Sequence, residues 1–337
     1  MKNVRWLTVL AVMALFVLAA CGEKSQEDVL GDIEDALEET TSYKAKAKMV
    51  LETGQEPQSY DVEVWQKDEA YYRVVLTNEA NDQSQIILKN DEGVFVLTPA
   101  LNKTFRFQSD WPKTNSQAYL YESLLHDILI DAETAFSQDE NHYIFQTMTN
   151  YQNKNLNSQE VRLNKKDLSP ATVKILNADG DVLVDLVFSE FEKNATLEPE
   201  DFATERNVTG AQISEPALAE QEEDGELDVL YPMYVPDGTT AEATEMVENE
   251  GGTSYVQQYT GDKSFTLIQR QSEIVPASTP MNMNEGEPVD LGFAIGVRSE
   301  NQIMWSNEGN DFSLVSEELT EEEMVEVARS VYGTTEK

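Results

Sequence analysis

Residues 84–107 read SQIILKNDEGVFVLTPALNKTFRF, and this stretch decides the fold. Turn-forming residues at Asp91-Glu92-Gly93 and between Pro99 and Asn102 divide it into three short apolar runs, a pattern typical of three antiparallel strands. Side chains alternate between the two faces of a strand, so Phe105 and Phe107 share one face of the third strand. The predicted sheet therefore has a strongly apolar face that needs a cover.

The segment after the third strand supplies a candidate cover. Residues Asn115–Ser137 are predicted to form an amphipathic helix, because apolar side chains recur there at the spacing of one helix face. This lid helix would place four aliphatic residues against the sheet: Leu124, Leu125, Ile128 and Leu129. A curved sheet closed by a helix is either a container for an apolar ligand or an ordinary packed core, and the packed core is the commoner outcome.

Short strands of similar length surround this stretch. Alternating apolar and polar residues predict strands at residues 44–53, 59–67, 70–77, 141–148, 158–164, 170–177 and 181–191, after a helix at residues 25–39. Such regular spacing, with only two helical interruptions, is typical of one antiparallel meander. We therefore predict the α+β class.

The first 20 residues have the form of a secretory signal peptide. Lys2 and Arg5 precede an aliphatic run, Leu7–Leu18, that is too short for a typical transmembrane helix. The run ends in Leu-Ala-Ala-Cys-Gly at residues 18–22, which resembles the bacterial lipobox. That resemblance implies a diacylglyceryl group on Cys21 and anchoring at the extracytoplasmic face of the cell membrane. An uncleaved anchor with an incidental thiol is the alternative.

The composition excludes several kinds of partner and chemistry. With 24 basic and 63 acidic residues the formal charge is −39, so nucleic acid is an unsuitable partner and anionic headgroups repel the chain. Cys21 is the only cysteine, which excludes an internal disulfide, and its lipidation would leave no thiol for catalysis. The chain has two histidines and lacks the common catalytic and metal-binding motifs. We predict no catalytic residue, no metal site and no cofactor, hence a non-enzymatic protein.

The order of these elements resembles the LolA-like family of periplasmic lipoprotein carriers and their relatives. The resemblance depends on the Val64–Lys67 strand, the Ile87–Gly93 turn and the Leu197–Phe202 segment after the last long strand. Residues 105–112 and 116–120 more closely resemble a branch of LolA-like lipoproteins from spore-forming Gram-positive bacteria. The resemblance implies a curved antiparallel half-barrel sheet with covering helices and an apolar cavity that shelters acyl chains.

Such a half-barrel would be lined by the inward-facing side chains of its strands. The candidates are Val62, Val64, Phe105, Phe107, Val173, Ile175, Val184, Leu186 and Phe188. The chain departs from the carriers at Lys67-Asp68-Glu69, where they have a basic residue followed by a Pro-Asn turn. The carriers are soluble shuttles, whereas a lipid anchor would tether this protein to the membrane, which puts the shuttle role in doubt.

An acidic stretch without a core pattern separates two globular parts. The predicted divisions are a signal peptide (1–20), a lipidated tether (21–28), a LolA-like half-barrel domain (29–207), an acidic linker (208–228) and a small α+β domain (229–337). The last resembles an uncharacterised domain at the C-terminus of many Gram-positive membrane-linked proteins, through its Tyr231–Pro236 opening and a final helix that begins at Thr320. We interpret it as an interaction module.

Two functions remain open at this point. In the first, the anchored protein binds a lipid, or the acyl chain of a lipoprotein, inside its half-barrel during sporulation or envelope biogenesis. In the second, the half-barrel is filled by its own side chains, and the protein is a scaffold or regulator that binds a cell-envelope enzyme acting on peptidoglycan. An open cavity under the lid helix would favour the first function, and a filled core the second.

Overall fold

The computed structural model describes residues 24–52, 57–107, 111, 117–149, 156, 158–214, 228–249, 252–272, 281–283, 286–307 and 309–334. The predicted leader, Cys21 and most of the predicted linker lie outside these residues. The chain forms two compact units, Met1–Glu39 and Thr40–Lys337. In the first unit, helix α1 spans Gln26–Glu39 and buries Val29, Ile33 and Ala36. The other helices are α2 (Tyr121–Ile130), α3 (Thr204–Ser214) and α4 (Glu321–Arg329).

Twelve strands form one large sheet. They are β1 (Ser42–Leu51), β2 (Gln58–Lys67), β3 (Tyr71–Asn78), β4 (Ser84–Asn90), β5 (Gly93–Thr98), β6 (Lys103–Phe107), β7 (Ala135–Gln138), β8 (His142–Met148), β9 (Ser158–Asn164), β10 (Pro170–Leu176), β11 (Val182–Lys193) and β16 (Met281–Met283). Their order is β16-β6-β5-β4-β3-β2-β1-β11-β10-β9-β8-β7. Among the strands that the structure describes, only the β16–β6 pair is parallel, and the terminal strands β16 and β7 do not pair with each other. The sheet is therefore open, and a twisted sheet of this width curls.

A second sheet domain follows. Its strands are β12 (Leu230–Pro232), β13 (Thr239–Asn249), β14 (Gly252–Gly261), β15 (Phe265–Gln271), β17 (Glu287–Asp290), β18 (Ile295–Ser299), β19 (Gln302–Asn307), β20 (Asn310–Val315) and β21 (Val331–Thr334). Seven of them form a sheet in the order β13-β14-β15-β20-β19-β18-β17, and β12 pairs with β21. Thr320 caps α4: its hydroxyl accepts a hydrogen bond from the Glu323 amide at 3.3 Å, and the Glu323 carboxylate accepts one from the Thr320 amide at 2.9 Å. This is a capping box, and it confirms the helix start predicted from the sequence.

The predicted fold class is confirmed, an antiparallel open sheet with few helices followed by a smaller sheet domain, and two predicted spans need correction. The helix predicted over Asn115–Ser137 is limited to Tyr121–Ile130, because Asp131 leaves the helical conformation and Ala135–Gln138 joins the sheet as β7. Residues 208–214 of the predicted linker belong to α3. The apolar pattern identified the helix, but an edge strand as short as β7 has too few residues to show its own pattern.

Candidate functional site

The strand register places all nine predicted lining residues on one face of the large sheet, called here the inner face. One row of paired residues runs Val64, Val74, Ile87, Val96 and Phe105 across five strands. Further rows pair Val62 with Ala47 and Ala47 with Phe188, and Leu186 with Val173. Val94 pairs with Phe107, and Val184 with Ile175.

The inner face is packed with side chains rather than open. Six of the nine predicted residues are buried, with exposed fractions of 2% or less: Val62, Val64, Phe107, Val173, Ile175 and Leu186. Phe105, Val184 and Phe188 are half-buried. Large aromatic rings fill the same face, and Tyr43 stacks on Phe191 with 5.4 Å between ring centroids and meets Tyr121 edge-on at 5.9 Å. Such packing is that of a core.

Helix α2 packs against the inner face through contacts with Tyr43 and Gln159. Leu124, Leu125 and Ile128 are buried, Leu129 is half-buried and His126 is exposed. Two polar side chains of α2, Glu122 and Asp127, also point towards the sheet, although the sequence analysis gave them no role. Glu122 lies one position after the apolar Tyr121, and Asp127 lies between the exposed His126 and the apolar Ile128, so a search for apolar periodicity overlooks both.

Near the start of α2, the hydroxyl of Tyr43 connects sheet and helix. It donates to the Glu122 carboxylate at 2.8 Å and accepts from the Tyr121 amide at 3.2 Å. The Tyr121 amide belongs to the first turn of α2, where backbone donors have no partner within the helix. The Tyr43 hydroxyl therefore supplies a hydrogen-bond partner both to a backbone amide at the start of α2 and to the Glu122 carboxylate.

Burial governs the electrostatics of this contact. Residue Glu122 keeps some surface exposure, but its Oε1 atom is buried. Burial raises the pKa of Glu122 above its ordinary value of 4.5, with hydrogen bonds from Tyr43 and Tyr72 opposing that rise. Burial, followed by the negative charge of Glu122, raises the pKa of Tyr43 and of Tyr72. Both tyrosines are therefore protonated donors at neutral pH.

Near the end of α2, Asp127 makes the second polar connection. Gln159 on β9 donates from Nε2 to Asp127 Oδ2 at 2.9 Å, and the Thr147 hydroxyl lies 3.3 Å from the Asp127 carbonyl oxygen. Gln159 is completely buried, and Asp127 is 6% exposed. Thus α2 is held to the inner face by buried polar contacts at both ends, in addition to its leucines.

The second sheet domain covers another end of the inner face. Lys103 on β6 contacts both carboxylate oxygens of Asp311 on β20 at 2.6 Å, and both residues are less than 10% exposed. Gln85 on β4 accepts a hydrogen bond from the Ile295 amide at 2.6 Å. Strand β16 pairs with β6. The sequence carried no signal for these contacts, because more than 170 positions separate β6 from β16 along the chain.

Two cavities lie at the borders of this packed region. A cavity of about 40 Å³ between the domains is lined by neutral residues such as Tyr60, Asn78 and Phe293, and it has room for a water molecule or two. A larger cavity of about 370 Å³ opens near β7 and the ends of β8–β10. Its volume would suit a small ligand, but Asp131, Glu133, Glu160 and Lys174 line it. The first cavity is too small for an acyl chain, and an acyl chain in the second would lie beside four charged side chains.

Other kinds of site are missing from the described part of the chain. Within those residues, no three side chains of the types His, Cys, Asp and Glu are arranged to hold a metal ion. None of the described helices has the length and apolarity needed to cross a membrane.

Comparison with known proteins identifies the family. The profile described as "Sporulation protein YdcC-like" matches residues 1–202. The chain belongs to the YdcC-like sporulation protein family. A relative in Bacillus subtilis, "Sporulation protein YdcC", is 45% identical over the full length of both chains. The resemblance to a sporulation-associated branch is thereby confirmed. Residues 229–331 match a domain of unknown function, DUF4367.

Solved structures resemble the chain more remotely. A LolA superfamily protein from Nitrosomonas europaea is 13% identical, with a TM-score of 0.29, 52% of this chain covered and 98% of that one. The MucA/MucB complex of Pseudomonas aeruginosa contains a chain that is 11% identical, with a TM-score of 0.33, 89% of this chain covered and 97% of that one. At these scores the likeness tells nothing about a ligand or partner of the YdcC-like chain.

Proposed function

We propose that this YdcC-like protein is a non-enzymatic scaffold of the cell envelope, anchored through a diacylglyceryl group on Cys21 at the extracytoplasmic face of the membrane. In this proposal the open sheet is filled by its own side chains, and the surface of the protein binds an envelope protein such as an enzyme acting on peptidoglycan. Membership of a sporulation family supports a role during spore formation.

The closed inner face carries this proposal. An acyl carrier must offer apolar volume to its ligand, whereas here α2 is held by Tyr43 and Gln159, and the predicted lining residues are mostly buried in contact with other parts of the protein. An acyl chain would have to displace these contacts together with the buried aromatic rings around Tyr121. Binding to the outside of a filled domain avoids that displacement.

Two measurements together test the proposal: lipid binding by the purified protein and retention of a protein partner by the anchored protein. Protein that lacks residues 1–21, and with them both the leader and the lipidation site, is expected, when purified without detergent, to carry no lipid in native mass spectrometry and to leave a fluorescent fatty acid unbound. The anchored protein, isolated from sporulating membranes, is expected to retain one protein partner at fixed stoichiometry. A bound lipid in the first experiment, or the absence of a stoichiometric partner in the second, would contradict the scaffold proposal.

The anchor is tested separately. Intact-mass measurement of the membrane-extracted protein should show an N-terminal cysteine carrying a diacylglyceryl group, and replacing residues 1–21 by a secretory leader that is cleaved without lipidation should move the protein out of the membrane fraction. A mature protein recovered from the culture medium with an unmodified cysteine would contradict anchoring, while leaving the scaffold proposal to the partner experiment.

A further inference from the structure

Strand β13 stands apart from every other long strand of the protein. It has 11 residues, about twice the usual length of a strand, and it lies at one end of the seven-stranded sheet. No described strand pairs with its outer edge. Of residues 240–248, all but the half-buried Ala243 are exposed, so neither face of the strand packs on a core.

The hairpin that β13 forms with β14 is nevertheless joined to the rest of the domain by specific contacts at its base. The Thr239 hydroxyl donates to the Lys263 carbonyl at 2.7 Å, and the Asp262 amide donates to the Gly238 carbonyl at 3.1 Å. Gly261 has φ of 144°, and a Cβ there would lie 2.0 Å from the Gly238 carbonyl oxygen, so glycine is required. Tyr259 is buried and stacks on Phe265 at 4.3 Å.

Apolar side chains remain exposed further along the hairpin. Met246 is 60% exposed and Val247 is 40% exposed, and they point to opposite faces because they are consecutive in a strand. Met246 pairs with the half-buried Tyr255 of β14. An edge strand that exposes both its backbone and apolar side chains is a template for pairing with another strand.

The charge of the hairpin indicates what kind of strand can pair there. Residues 239–261 contain four glutamates and no lysine or arginine. Glu245 shares a face with Val247, and Glu248 shares the other face with Met246. Each face therefore presents an acid beside an apolar side chain. A partner strand that matches it carries a cation beside an apolar residue on each of its own faces.

The same charges argue against a second copy of this chain as the occupant. Two β13 strands side by side would bring several glutamates together, in a protein whose formal charge is −39. Like charges opposite each other destabilise a strand pair.

We propose that β13 is a docking edge for an extended, basic segment of a partner protein, which adds to the seven-stranded sheet as an eighth strand. Main-chain hydrogen bonds along β13 supply affinity, and Glu242, Glu245 and Glu248 select cationic side chains. This inference rests on the proposed scaffold function and assigns it a surface and a partner chemistry.

The test uses a synthetic peptide, KKVVKKVVK with blocked termini, whose paired pattern puts lysine and valine on both faces. We expect it to bind the full-length protein lacking the lipid anchor, and to slow amide hydrogen exchange in residues 240–248. The double substitution Glu245→Lys with Glu248→Lys should weaken binding by about tenfold or more. The matched control, Glu192→Lys with Glu205→Lys, makes the same charge change at exposed positions of the other domain and should leave the affinity unchanged to within about twofold.

Two further peptides separate strand addition from simple charge attraction. Methylation of alternate backbone nitrogens removes donors but keeps every charge, and it should abolish binding. A peptide with glutamate in place of lysine should not bind.

Four results would contradict the docking edge. The first two are binding of the methylated peptide as tightly as the parent and equal weakening of binding by both double variants. The other two are a parent peptide that fails to bind up to about 1 mM and a dimer of the protein alone that protects β13. These outcomes leave the stoichiometric partner of the proposed function to be judged by its own experiment.

Discussion

At the scale of single residues, the buried ion pair between Lys103 and Asp311 is expected to affect the free energy of unfolding strongly. Asp311 also accepts hydrogen bonds from the hydroxyls of Ser272 and Ser306 at 2.8 and 2.7 Å, so its carboxylate is thoroughly satisfied. Without Lys103, the buried Asp311 carboxylate keeps only a longer and more exposed cationic contact among the described residues, Arg270 Nη2 at 3.6 Å, and a buried charge that loses its close partner destabilises the fold. Lys103→Met is therefore expected to lower the free energy of unfolding by about 3–5 kcal/mol, measured by urea denaturation.

A matched surface pair provides the control for this prediction. Lys46 and Glu190 lie 3.1 Å apart with side chains 53% and 65% exposed, so water replaces the lost partner. Lys46→Met should change stability by no more than about 0.5 kcal/mol. Equal changes in the free energy of unfolding for the two substitutions would show that the buried Lys103 pair stabilises the fold no more than an exposed pair does.

Glu122 predicts a pH dependence of stability. Its pKa is raised by burial above the ordinary 4.5, so between the two pKa values the folded state binds more protons than the unfolded state. Stability therefore falls as pH rises through this window, and the loss is complete above the raised pKa. Glu122→Gln keeps an acceptor for Tyr43 and removes the ionisation. We expect its urea midpoint to match that of the wild type below the ordinary pKa of 4.5, to exceed it increasingly as pH rises through this window, and to keep a constant lead above the raised pKa.

Glu192→Gln provides the control for the pH series, since Glu192 is exposed on β11. Its curve of midpoint against pH should run parallel to that of the wild type. If the Glu122→Gln curve were parallel as well, ionisation of Glu122 would not be the cause of the loss of stability with rising pH.

At the scale of elements, the attachment of α2 to the sheet is testable through Tyr43. Tyr43→Phe removes the hydroxyl that serves both the Glu122 carboxylate and the Tyr121 amide. The unmade bonds to buried groups are expected to cost about 1–3 kcal/mol. Because the loss is local to α2, hydrogen exchange should accelerate in residues 121–130 before it does so in the central strands.

Tyr71→Phe is the conservative comparison for the α2 experiment. The Tyr71 hydroxyl donates to Asp91 at 2.8 Å in an exposed turn, where water takes over when the hydroxyl is removed. The exchange of α2 should therefore be unaffected. Unchanged exchange of α2 in Tyr43→Phe, or equal acceleration in both variants, would mean that the Tyr43 hydroxyl does not hold α2 to the sheet.

Some of these elements could be predicted from the sequence, and others could not. Strand β9 was predicted to the residue because Gln159, Val161 and Leu163 alternate with polar neighbours. The lining residues were placed on one face for the same reason. Strand β13 was not predicted, because a strand exposed on both faces has no apolar alternation. The sequence favoured a packed core over an open container but could not decide between them, since Glu122 and Gln159 meet their partners only after distant elements pack.

At the scale of the whole molecule, the two sheet domains share structural elements. Strand β16 follows β15 in the chain but belongs to the large sheet, where it pairs with β6. Leu51, on the inner face at the end of β1, lies within contact distance of a side chain added at Gly292 in the second sheet domain. The second domain therefore closes one end of the first, and residues 40–337 form one compact unit.

This arrangement predicts one cooperative unfolding transition. In differential scanning calorimetry the wild-type protein should show a single endotherm whose calorimetric and van't Hoff enthalpies agree. Lys103→Glu places a carboxylate against Asp311 and should separate the endotherm into two, because the repulsion acts where the domains meet. Lys46→Glu, the same change on an exposed face, should keep one transition. Two endotherms in the wild type, or an undivided one in Lys103→Glu, would mean that the buried pair does not couple the domains, and closure of the inner face would then rest on α2 alone.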